Sequence, residues 1–368
     1  MIMEKLALSE LLGDLVVYRR LEPCDGRLQG WRGACIPRKT EPAYAQAIVD
    51  ILGQAQALRS SRPLERLVYI GDTIMNDGQA VRNLTTHLPT RGFIAQERME
   101  EPKRVRREGS LMVANRWSAL VDFLSLLRRE GFALDQSTAA LIDLDKTAFG
   151  ARGRNDAVID EARVEAVRRT VEEVLGAEFR GEEFRSVYGE LNRPEYHPFT
   201  ADNQDYLAYI CLMISGGVYP FDELLADLEA GRLRSFAQFI EACSQRPIGE
   251  GLLSIHREVY ANFRAGDPTP FKSFRYREYE ETVARMDRLP ADADVDSLLA
   301  EEIVLTREVV DAGRFLAERG VLLFGLTDKP DEASLPRPEL RRKGYLPLHR
   351  VRVKVVGESI YEDLARFG

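Results

Sequence analysis

Two aspartates separated by one residue follow a short apolar segment near the middle of the chain. The apolar segment, Ala139–Ile142, predicts a buried strand, and Asp143, Asp145, Lys146 and Thr147 come directly after it. Alternation along an extended chain turns the side chains of Asp143 and Asp145 to the same side, where they could share a cation or a phosphate. A turn or a helix N-cap would also favour aspartate here.

Polar groups also follow two other predicted strands. The strand Leu67–Ile70 runs into the sequence GDTIMND, which contains Asp72 and Asp77, and the strand Val321–Leu326 runs into Thr327. Ligands of open parallel sheets bind beyond the carboxyl ends of the strands. The three strand ends therefore predict one shared site for a cation or an anionic ligand.

A lysine precedes the helix that leads to the first of these strands. Pro42 suits the first turn of a helix, and Lys39 stands just before it. A lysine at a helix N-terminus opposes the helix dipole, which favours an anionic partner, and the alternative is an exposed lysine without a role. Lys146 and Lys329 also lie close to the predicted strand ends, so all three lysines are alternatives for holding an anion. Lys39 is preferred because of its position at the helix start.

Strand and helix patterns alternate up to Gly150, and helix patterns then follow one another with almost no strand. The alternation predicts an α/β protein with a Rossmann-like, doubly wound parallel sheet. We expect the sheet to form a core domain, the catalytic one, that comprises residues 1–150 and 312–368. Residues 151–311 are predicted to form an all-helical cap domain, inserted between Asp145 and Thr327.

Composition narrows the class of protein. The chain has 368 residues, 45% hydrophobic content and a formal net charge of -8, which argues for a substantial core and against nonspecific nucleic-acid binding. Four scattered cysteines lack the spacing of a zinc site or a disulfide framework. No signal peptide pattern is present, and no apolar segment approaches the ~18 residues of a membrane span. We expect a cytoplasmic protein without nucleic-acid or membrane partners, and the oligomeric state stays open.

In combination, these segments resemble the haloacid dehalogenase (HAD) superfamily of phosphohydrolases. That superfamily is marked by an apolar strand with DxDxT, a strand with Thr or Ser, a lysine that opens a helix, and a strand with GDxxxD or GDxxxxD. Here DLDKT begins at Asp143, the threonine is Thr327, the lysine is Lys39, and GDTIMND supplies Asp72 and Asp77. Each motif is short, and their combination with the expected flanking elements is specific. The resemblance covers the sheet domain, roughly half of the chain.

The order of the motifs departs from that superfamily. The superfamily order is DxDxT, Thr or Ser, Lys and GD, whereas this chain has Lys, GD, DxDxT and Thr. A circular permutation, cut between the second and third motifs, would explain the difference, because surface loops tolerate such cuts. Chance agreement, or two unrelated halves, is the alternative explanation.

The resemblance implies a role for each matching residue. Asp143 would be the nucleophile, Asp145 the general acid and base, and Lys39 and Thr327 would hold the phosphoryl oxygens. Mg²⁺, which prefers oxygen ligands, would be bound by Asp143, the backbone carbonyl of Asp145 and Asp72, with Asp77 binding directly or through water. The basic residues Arg152, Arg154 and Lys329 are further candidates for binding an anionic substrate. Halide-releasing members lack the second aspartate, so Asp145 indicates phosphoryl chemistry.

These inferences predict a Mg²⁺-dependent phosphatase that acts on a small phosphorylated metabolite through an aspartyl-phosphate intermediate. The alternatives are a catalytically idle phosphate-binding or scaffold protein with the same fold, and a phosphotransferase. The permutation makes a geometric prediction: the strands Leu67–Ile70 and Val321–Leu326 should flank Ala139–Ile142 in one parallel sheet. Lys39 should then lie within roughly 4 Å of an oxygen of Asp143 or Asp77.

Overall fold

The computed structural model describes residues 4–33 and 35–366. The chain divides into two compact units, residues 1–161 with 282–368 and residues 162–281. The second unit is shorter at both ends than the predicted helical insertion, residues 151–311. Residues 151–161 and 282–311 belong to the first unit, together with the strands that carry the aspartates.

Ten strands are found in the described part of the chain, and all of them lie in the first unit. They are β1 (Lys5–Ala7), β2 (Val16–Val17), β3 (Arg66–Gly71), β4 (Thr90–Ala95), β5 (Val105–Glu108), β6 (Leu111–Ala114), β7 (Thr138–Asp143), β8 (Leu305–Thr306), β9 (Leu322–Leu326) and β10 (Arg352–Val356). Residues 162–281, all of them described, contain helices and no strand.

The main sheet has seven strands in the order β2-β9-β7-β3-β4-β6-β5. All neighbours pair in parallel except β5 with β6, which is an antiparallel pair at the edge of the sheet. The predicted α/β class with a parallel sheet is confirmed. The predicted arrangement of strands is also confirmed, because β3 and β9 flank β7 on its two sides.

The pattern of apolar residues explains the centre and the edge of this sheet. All six residues of β7 are buried, as expected for a central parallel strand that is covered on both faces. All four residues of β5 are exposed, and two of them are the arginines Arg106 and Arg107. Charged side chains on an edge strand discourage pairing with another chain.

A smaller sheet joins segments from the two ends of the chain. It has the order β1-β10-β8, with β1 antiparallel and β8 parallel to β10. Strand β10 therefore lies outside the main sheet. The two-residue strand β8 falls within the segment that was expected to be all helical.

The α-helices are α1 (Ser9–Leu12), α2 (Pro42–Arg59), α3 (Asp77–Thr85), α4 (Leu120–Arg129), α5 (Asp156–Leu175), α6 (Gly181–Leu191), α7 (His197–Thr200), α8 (Gln204–Ser215), α9 (Phe221–Glu229), α10 (Phe236–Ser244), α11 (Glu250–Arg264), α12 (Lys272–Ala284), α13 (Val295–Glu301), α14 (Arg307–Glu318), α15 (Pro338–Arg342) and α16 (Tyr361–Ala365). None of the described helices is both long and apolar enough to cross a membrane.

Helix α2 begins at Pro42, as predicted, and its apolar face is buried in the core of the first unit. Tyr44, Ile48 and Ile51 belong to one hydrophobic cluster with Tyr69 of β3 and other buried residues of β7 and β9. This packing brings the start of α2, and with it Lys39, to the carboxyl ends of the central strands.

The second unit has a separate hydrophobic core. Its central helix, α8, buries every residue from Leu207 to Ile214. Phe199, Phe236 and Phe239 belong to the same cluster. A helix that is apolar on all sides needs other helices around it, which explains the succession of helices α5 to α12.

Candidate active site

The carboxyl ends of β3 and β7 bring three aspartates together. Asp72 follows β3, Asp77 begins α3, and Asp143 is the last residue of β7. One carboxylate oxygen of each lies within 4.8 Å of the others, and all three residues are buried. Segments more than 60 residues apart in the sequence therefore meet at one place.

The ammonium group of Lys39 bridges two of these aspartates. Its Nζ donates to Asp143 Oδ1 at 2.5 Å and to Asp77 Oδ1 at 2.7 Å, which confirms the predicted distance. Burial by itself would lower the pKa of Lys39, but the charges of Asp143 and Asp77 outweigh burial and raise that pKa well above its usual range. Lys39 is therefore a permanent cation at the end of β7.

Asp77 receives hydrogen bonds on both of its carboxylate oxygens. Oδ1 accepts from Lys39 Nζ and, at 2.7 Å, from the Tyr69 hydroxyl. Oδ2 accepts from the backbone N–H groups of Asp72 and Thr73 at 3.0 and 2.9 Å, and from the Thr73 hydroxyl at 3.1 Å. Five donors fix the position of this carboxylate, so Asp77 holds both Lys39 and the turn that carries Asp72.

Gly71 makes this close packing possible. A Cβ atom at position 71 would lie 2.6 Å from Asp77 Cγ, which is closer than real Cβ atoms approach other heavy atoms. Position 71 therefore requires glycine, because any side chain there would clash with the Asp77 carboxylate.

Asp72 is paired with Arg152, whose Nε donates to Asp72 Oδ2. The backbone of Arg152 is held by Glu97, whose N–H donates to the Arg152 carbonyl at 2.9 Å. The following residue, Gly153, has φ +81°, and a Cβ there would lie 2.1 Å from the Glu97 carbonyl oxygen. Arg152, predicted as a substrate-binding residue, thus lies at the aspartate cluster.

Crowding of carboxylates in a buried place alters their acidity. Burial, together with the charges of Asp77 and Asp145, raises the pKa of Asp143 to about 7, although Lys39 opposes the rise. Burial also raises the pKa of Asp72 well above its usual range, with Asp77 and Asp143 adding to the rise and Arg152 opposing it. The carboxylates of the cluster therefore repel one another, and a bound cation would relieve that repulsion.

Asp145 lies beside Thr327 and Lys329, which were predicted to bind the substrate. The Lys329 ammonium is 3.4 Å from Asp145 Oδ1, and the Thr327 hydroxyl accepts from the Lys329 N–H at 3.1 Å. The Asp145 carboxylate is partly exposed, whereas Thr327 and Lys329 are buried. Lys39 contacts Asp143, and Lys329 contacts Asp145, so the two lysines have different positions in the site.

Two other predicted basic residues are held in ion pairs elsewhere. Arg154 donates to Glu97 and, at 2.7 and 3.0 Å, to both oxygens of Glu308. Lys146 donates to both oxygens of Asp160 at 2.7 Å. The Arg154 guanidinium thus connects the loop before α5 to α14, and Lys146 is engaged away from Asp143.

Two polar atoms, one in α2 and one in the segment after β9, are buried without a hydrogen-bond partner in the described part of the chain. They are the Tyr44 hydroxyl oxygen and Asp328 Oδ1. The charges of Lys39 and Asp328 both act on the Tyr44 hydroxyl, so the two orphaned atoms belong to the same neighbourhood. An unsatisfied buried polar atom costs about 1 to 3 kcal/mol, which favours a site completed by a ligand.

The aspartate cluster meets the chemical requirements of a site for a hard divalent cation. It offers carboxylate oxygens, which Mg²⁺ prefers, within a distance that one ion can bridge. Asp77 already accepts five hydrogen bonds, so Asp72 and Asp143 are the better placed direct ligands. The three aspartates could hold a metal ion, and their oxygen chemistry fits Mg²⁺.

Sequence reasoning missed three residues at this site: Tyr69, Tyr44 and Asp328. A tyrosine inside the otherwise apolar strand β3 was a usable signal, since a buried hydroxyl needs a polar partner. Tyr44 lies among the buried residues of α2, and the helix pattern alone gives it only a place in the core. Asp328 follows Thr327 directly in the sequence, and no role was predicted for it.

Neither a family model nor a curated protein nor a solved structure matches this chain.

Proposed function

We propose that this chain is a divalent-metal-dependent phosphohydrolase that forms a phosphoenzyme on Asp143. The observation that carries the proposal is the position of Lys39, which bridges Asp143 and Asp77 at 2.5 and 2.7 Å although the three residues come from distant segments. A buried lysine between two carboxylates at the end of a parallel strand suits the binding of an anion that must approach one of those carboxylates.

In the first step, an Asp143 carboxylate oxygen attacks the phosphorus of a phosphomonoester. The new bond joins that oxygen to phosphorus, and the ester P–O bond breaks. Asp145, in its protonated form, gives its proton to the departing alkoxide, so the alcohol leaves neutral. The partial exposure of Asp145 suits this role, because a leaving group must reach it.

In the second step, a water molecule attacks the aspartyl phosphate. Asp145, now a carboxylate, takes a proton from that water, and the P–O bond to Asp143 breaks to release inorganic phosphate. Lys39 and Lys329 contact Asp143 and Asp145 respectively, so positive charge lies beside both oxygens that exchange bonds or protons.

Asp72 and Asp143 would hold the cation, and Asp77 would position both Lys39 and the turn that carries Asp72. A bound Mg²⁺ would offset the carboxylate charge that otherwise repels a phosphate dianion. Burial by itself would raise the pKa of Asp77, but the charge and hydrogen bond of Lys39, together with the Thr73 N–H, outweigh burial and lower that pKa.

The experiment that tests this proposal is hydrolysis of 4-nitrophenyl phosphate with Mg²⁺ and with excess chelator. We expect turnover only with the metal, and a labelled phosphoenzyme on rapid acid quench with ³²P-labelled substrate. Hydrolysis that continues in the chelator would reject the metal requirement. The absence of hydrolysis at saturating Mg²⁺ across a panel of phosphomonoesters would favour the idle phosphate-binding alternative.

Transfer of the phosphoryl group to an added alcohol can be measured in the same reaction. A hydrolase releases one inorganic phosphate for each 4-nitrophenol. A phosphotransferase releases less phosphate than phenol and accumulates the phosphorylated acceptor. The ratio of the two products therefore separates the two enzymatic alternatives.

A further inference from the structure

A cavity is lined by three helices of the first unit at the amino ends of the central strands. Its wall comes from α4 and residues 131–134 after it, from α14 with Arg319, and from Leu364 of α16. Its volume is about 370 Å³, which is within the range of sites for small molecules. We call it the α4–α14 cavity, and it is large enough to hold a ligand of its own.

The α4–α14 cavity lies at the edge of the sheet opposite to the candidate active site. Residues 131–134 lead from α4 toward β7, and Arg319 follows α14 shortly before β9. β7 and β9 run parallel to each other, and the aspartate cluster and Thr327 lie at their other ends. A strand of six residues is roughly 20 Å long, so a small ligand in this cavity cannot contact the aspartate cluster.

Much of the wall of the α4–α14 cavity is apolar. Leu124, Phe132, Phe315 and Leu364 line it, and each of them is at most 9% exposed. Two of these side chains are aromatic, and a flat ring packs well against another ring. No acidic side chain lines the cavity among the residues described. This part of the wall suits the hydrocarbon part of a ligand.

Both charged residues of the wall are arginines, Arg128 in the last turn of α4 and Arg319 directly after α14. The Arg319 guanidinium lies 3.6 Å from the centroid of the Phe315 ring and donates to the Phe315 carbonyl at 3.1 Å, which fixes its position. Neither arginine forms an ion pair within the described ranges 4–33 and 35–366. A guanidinium carries several N–H donors and can bind a carboxylate or a phosphate through two of them. The two arginines are therefore suited to bind an anion.

A polar atom in the same wall lacks a hydrogen-bond partner. The Ser125 hydroxyl is buried and forms no hydrogen bond with any described residue. A serine in a helix can donate to the carbonyl four residues earlier, as Ser244 does to Ile240 at 2.9 Å, but Ser125 does not. Ser125 and Arg128 are three positions apart and therefore neighbours on the surface of α4. An unpaired donor next to an arginine suits the oxygen atoms of an anion.

We propose that the α4–α14 cavity binds a small anion that has an apolar body and a carboxylate or phosphate head. The head accepts hydrogen bonds from Arg128, Arg319 and the Ser125 hydroxyl, and the body packs against the two phenylalanine rings. This site is separate from the proposed site of phosphoryl transfer, and its ligand is neither substrate nor product there. The proposal does not depend on the proposed phosphohydrolase function, since none of these residues belongs to the candidate active site.

The first test is the binding of 2-naphthoate, which joins two aromatic rings to a carboxylate, by ligand-observed NMR titration. We expect a Kd on the order of 1 mM, as is typical of so small a ligand. The uncharged 2-naphthamide should bind at least about tenfold more weakly, because it cannot form charge-assisted hydrogen bonds with the arginines. Equal binding of the acid and the amide, or no saturable binding of 2-naphthoate, would overturn the proposal.

Substitutions in the wall locate the binding site. Arg128→Met and Arg319→Met remove a charge and keep an unbranched side chain, so each should weaken 2-naphthoate binding about tenfold. Arg129→Met is the matched control, because Arg129 is the next residue of α4, is exposed and does not line the cavity. Ala133→Trp, which fills the cavity with an indole ring, should abolish binding, and circular dichroism checks its fold. Unchanged binding in both arginine variants would place the ligand elsewhere and reject the site.

The head group is decided by 2-naphthylphosphonate, whose phosphate-like head has no ester bond to hydrolyse. This compound could also bind at the aspartate cluster, so only the binding that Ala133→Trp removes is counted. A smaller Kd for the phosphonate than for 2-naphthoate assigns a phosphate ligand to the cavity, and a larger Kd assigns a carboxylate. Both results support an anion site, whereas phosphonate and carboxylate binding that survives in Arg128→Met and Arg319→Met rejects it.

Discussion

Lys39 and Asp143 are 104 positions apart in the sequence, and the lysine Nζ lies 2.5 Å from a carboxylate oxygen of the aspartate. The same ammonium group contacts Asp77, so one cation links the end of β7 to the start of α3. Each partner is nearly inaccessible to solvent. Three buried charges at the end of a sheet are costly unless they form ion pairs, and here Lys39 pairs with both aspartates.

Replacement of the proposed nucleophile should abolish turnover without unfolding the protein. Asp143→Asn keeps the shape of the side chain and removes its nucleophilic oxygen, so kcat should fall by at least about three orders of magnitude. Hydrolysis of 4-nitrophenyl phosphate gives the rate, and circular dichroism checks the fold. Asp292→Asn, at an exposed position, is the matched control and should retain full activity. Turnover of Asp143→Asn at the wild-type rate would reject this role.

Removal of the Lys39 charge should destabilise the protein strongly. Lys39→Met leaves Asp77 and Asp143 buried without their cation, and breaking such a pair costs about 3 to 5 kcal/mol. The loss should diminish at low pH, where protonation of Asp143 removes one unpaired charge. Urea unfolding at several pH values measures both effects. The control is Lys103→Met, whose exposed ion pair with Asp122 should contribute at most about 1 kcal/mol.

The metal requirement should depend on Asp72. We expect Mg²⁺ to raise the Tm of the wild type, since a ligand that binds only the folded state stabilises it. In Asp72→Ala this rise should be lost, and at least about tenfold more Mg²⁺ should be needed for half-maximal activity. Ca²⁺ should inhibit, because a larger ion with looser geometry would displace the nucleophile.

The control for this measurement is Asp160→Ala. Asp160 pairs with Lys146 and lies outside the aspartate cluster. Its loss should leave the Mg²⁺-dependent change of Tm unaltered. An equal response of Asp72→Ala and wild type to Mg²⁺ would contradict the assignment of Asp72 as a ligand.

A methyl group at position 71 should disturb the site by displacing the Asp77 carboxylate. Gly71→Ala forces Asp77 to move, because the new Cβ would lie 2.6 Å from Asp77 Cγ. We expect loss of stability of about 1 to 3 kcal/mol and reduced kcat. Gly53→Ala, within α2 and with no atom near the added Cβ, should instead stabilise the protein by about 0.5 to 1 kcal/mol. Thermal unfolding and initial rates of both variants decide the matter.

Asp331 should make the stability depend on pH. Burial raises its pKa to about 6, and the charge of Glu332 adds to the rise, while the Arg20 N–H opposes it. The pKa in the folded state is above the ordinary value, so the folded protein holds this proton more tightly. The resulting stabilisation is present below about pH 4 and is lost as pH rises through about 6.

Asp331→Asn tests this dependence, because the amide oxygen can still accept from the Arg20 N–H, which is 2.9 Å from Asp331 Oδ1. At pH 7 the variant should be more stable than the wild type by about 1 to 3 kcal/mol. At pH 4 the two should be nearly equal. Urea unfolding between pH 4 and 7 gives the comparison, and parallel curves for the two proteins would show that Asp331 is not the group responsible.

Much of the central sheet could be predicted from short patterns. Ala139–Ile142, Leu67–Ile70 and Val321–Leu326 each combine an apolar run with a polar end, and the structure pairs them in the predicted order. Buried parallel strands are apolar throughout, so they are conspicuous in a sequence. The start of α2 at Pro42 was equally visible, because proline marks a first helical turn.

Short or exposed strands could not be predicted in this way. β5 has four exposed residues, and β8 has only two residues, so neither carries an apolar pattern. The pairing of β10 with β1 and β8 was not visible in the sequence either. Strand pairing depends on which backbones meet in space, and hydrophobic periodicity does not report it.

The sequence by itself determined which residue types stand at the ends of the central strands, and therefore that Asp72, Asp143 and Thr327 share one edge of a sheet. Only the tertiary structure decided the hydrogen-bond partners at this edge. Tyr69 and Lys39 donate to Asp77, and Arg152 donates to Asp72. The reason is physical: periodicity reports local backbone and burial, whereas side-chain pairs between distant segments depend on how whole elements pack.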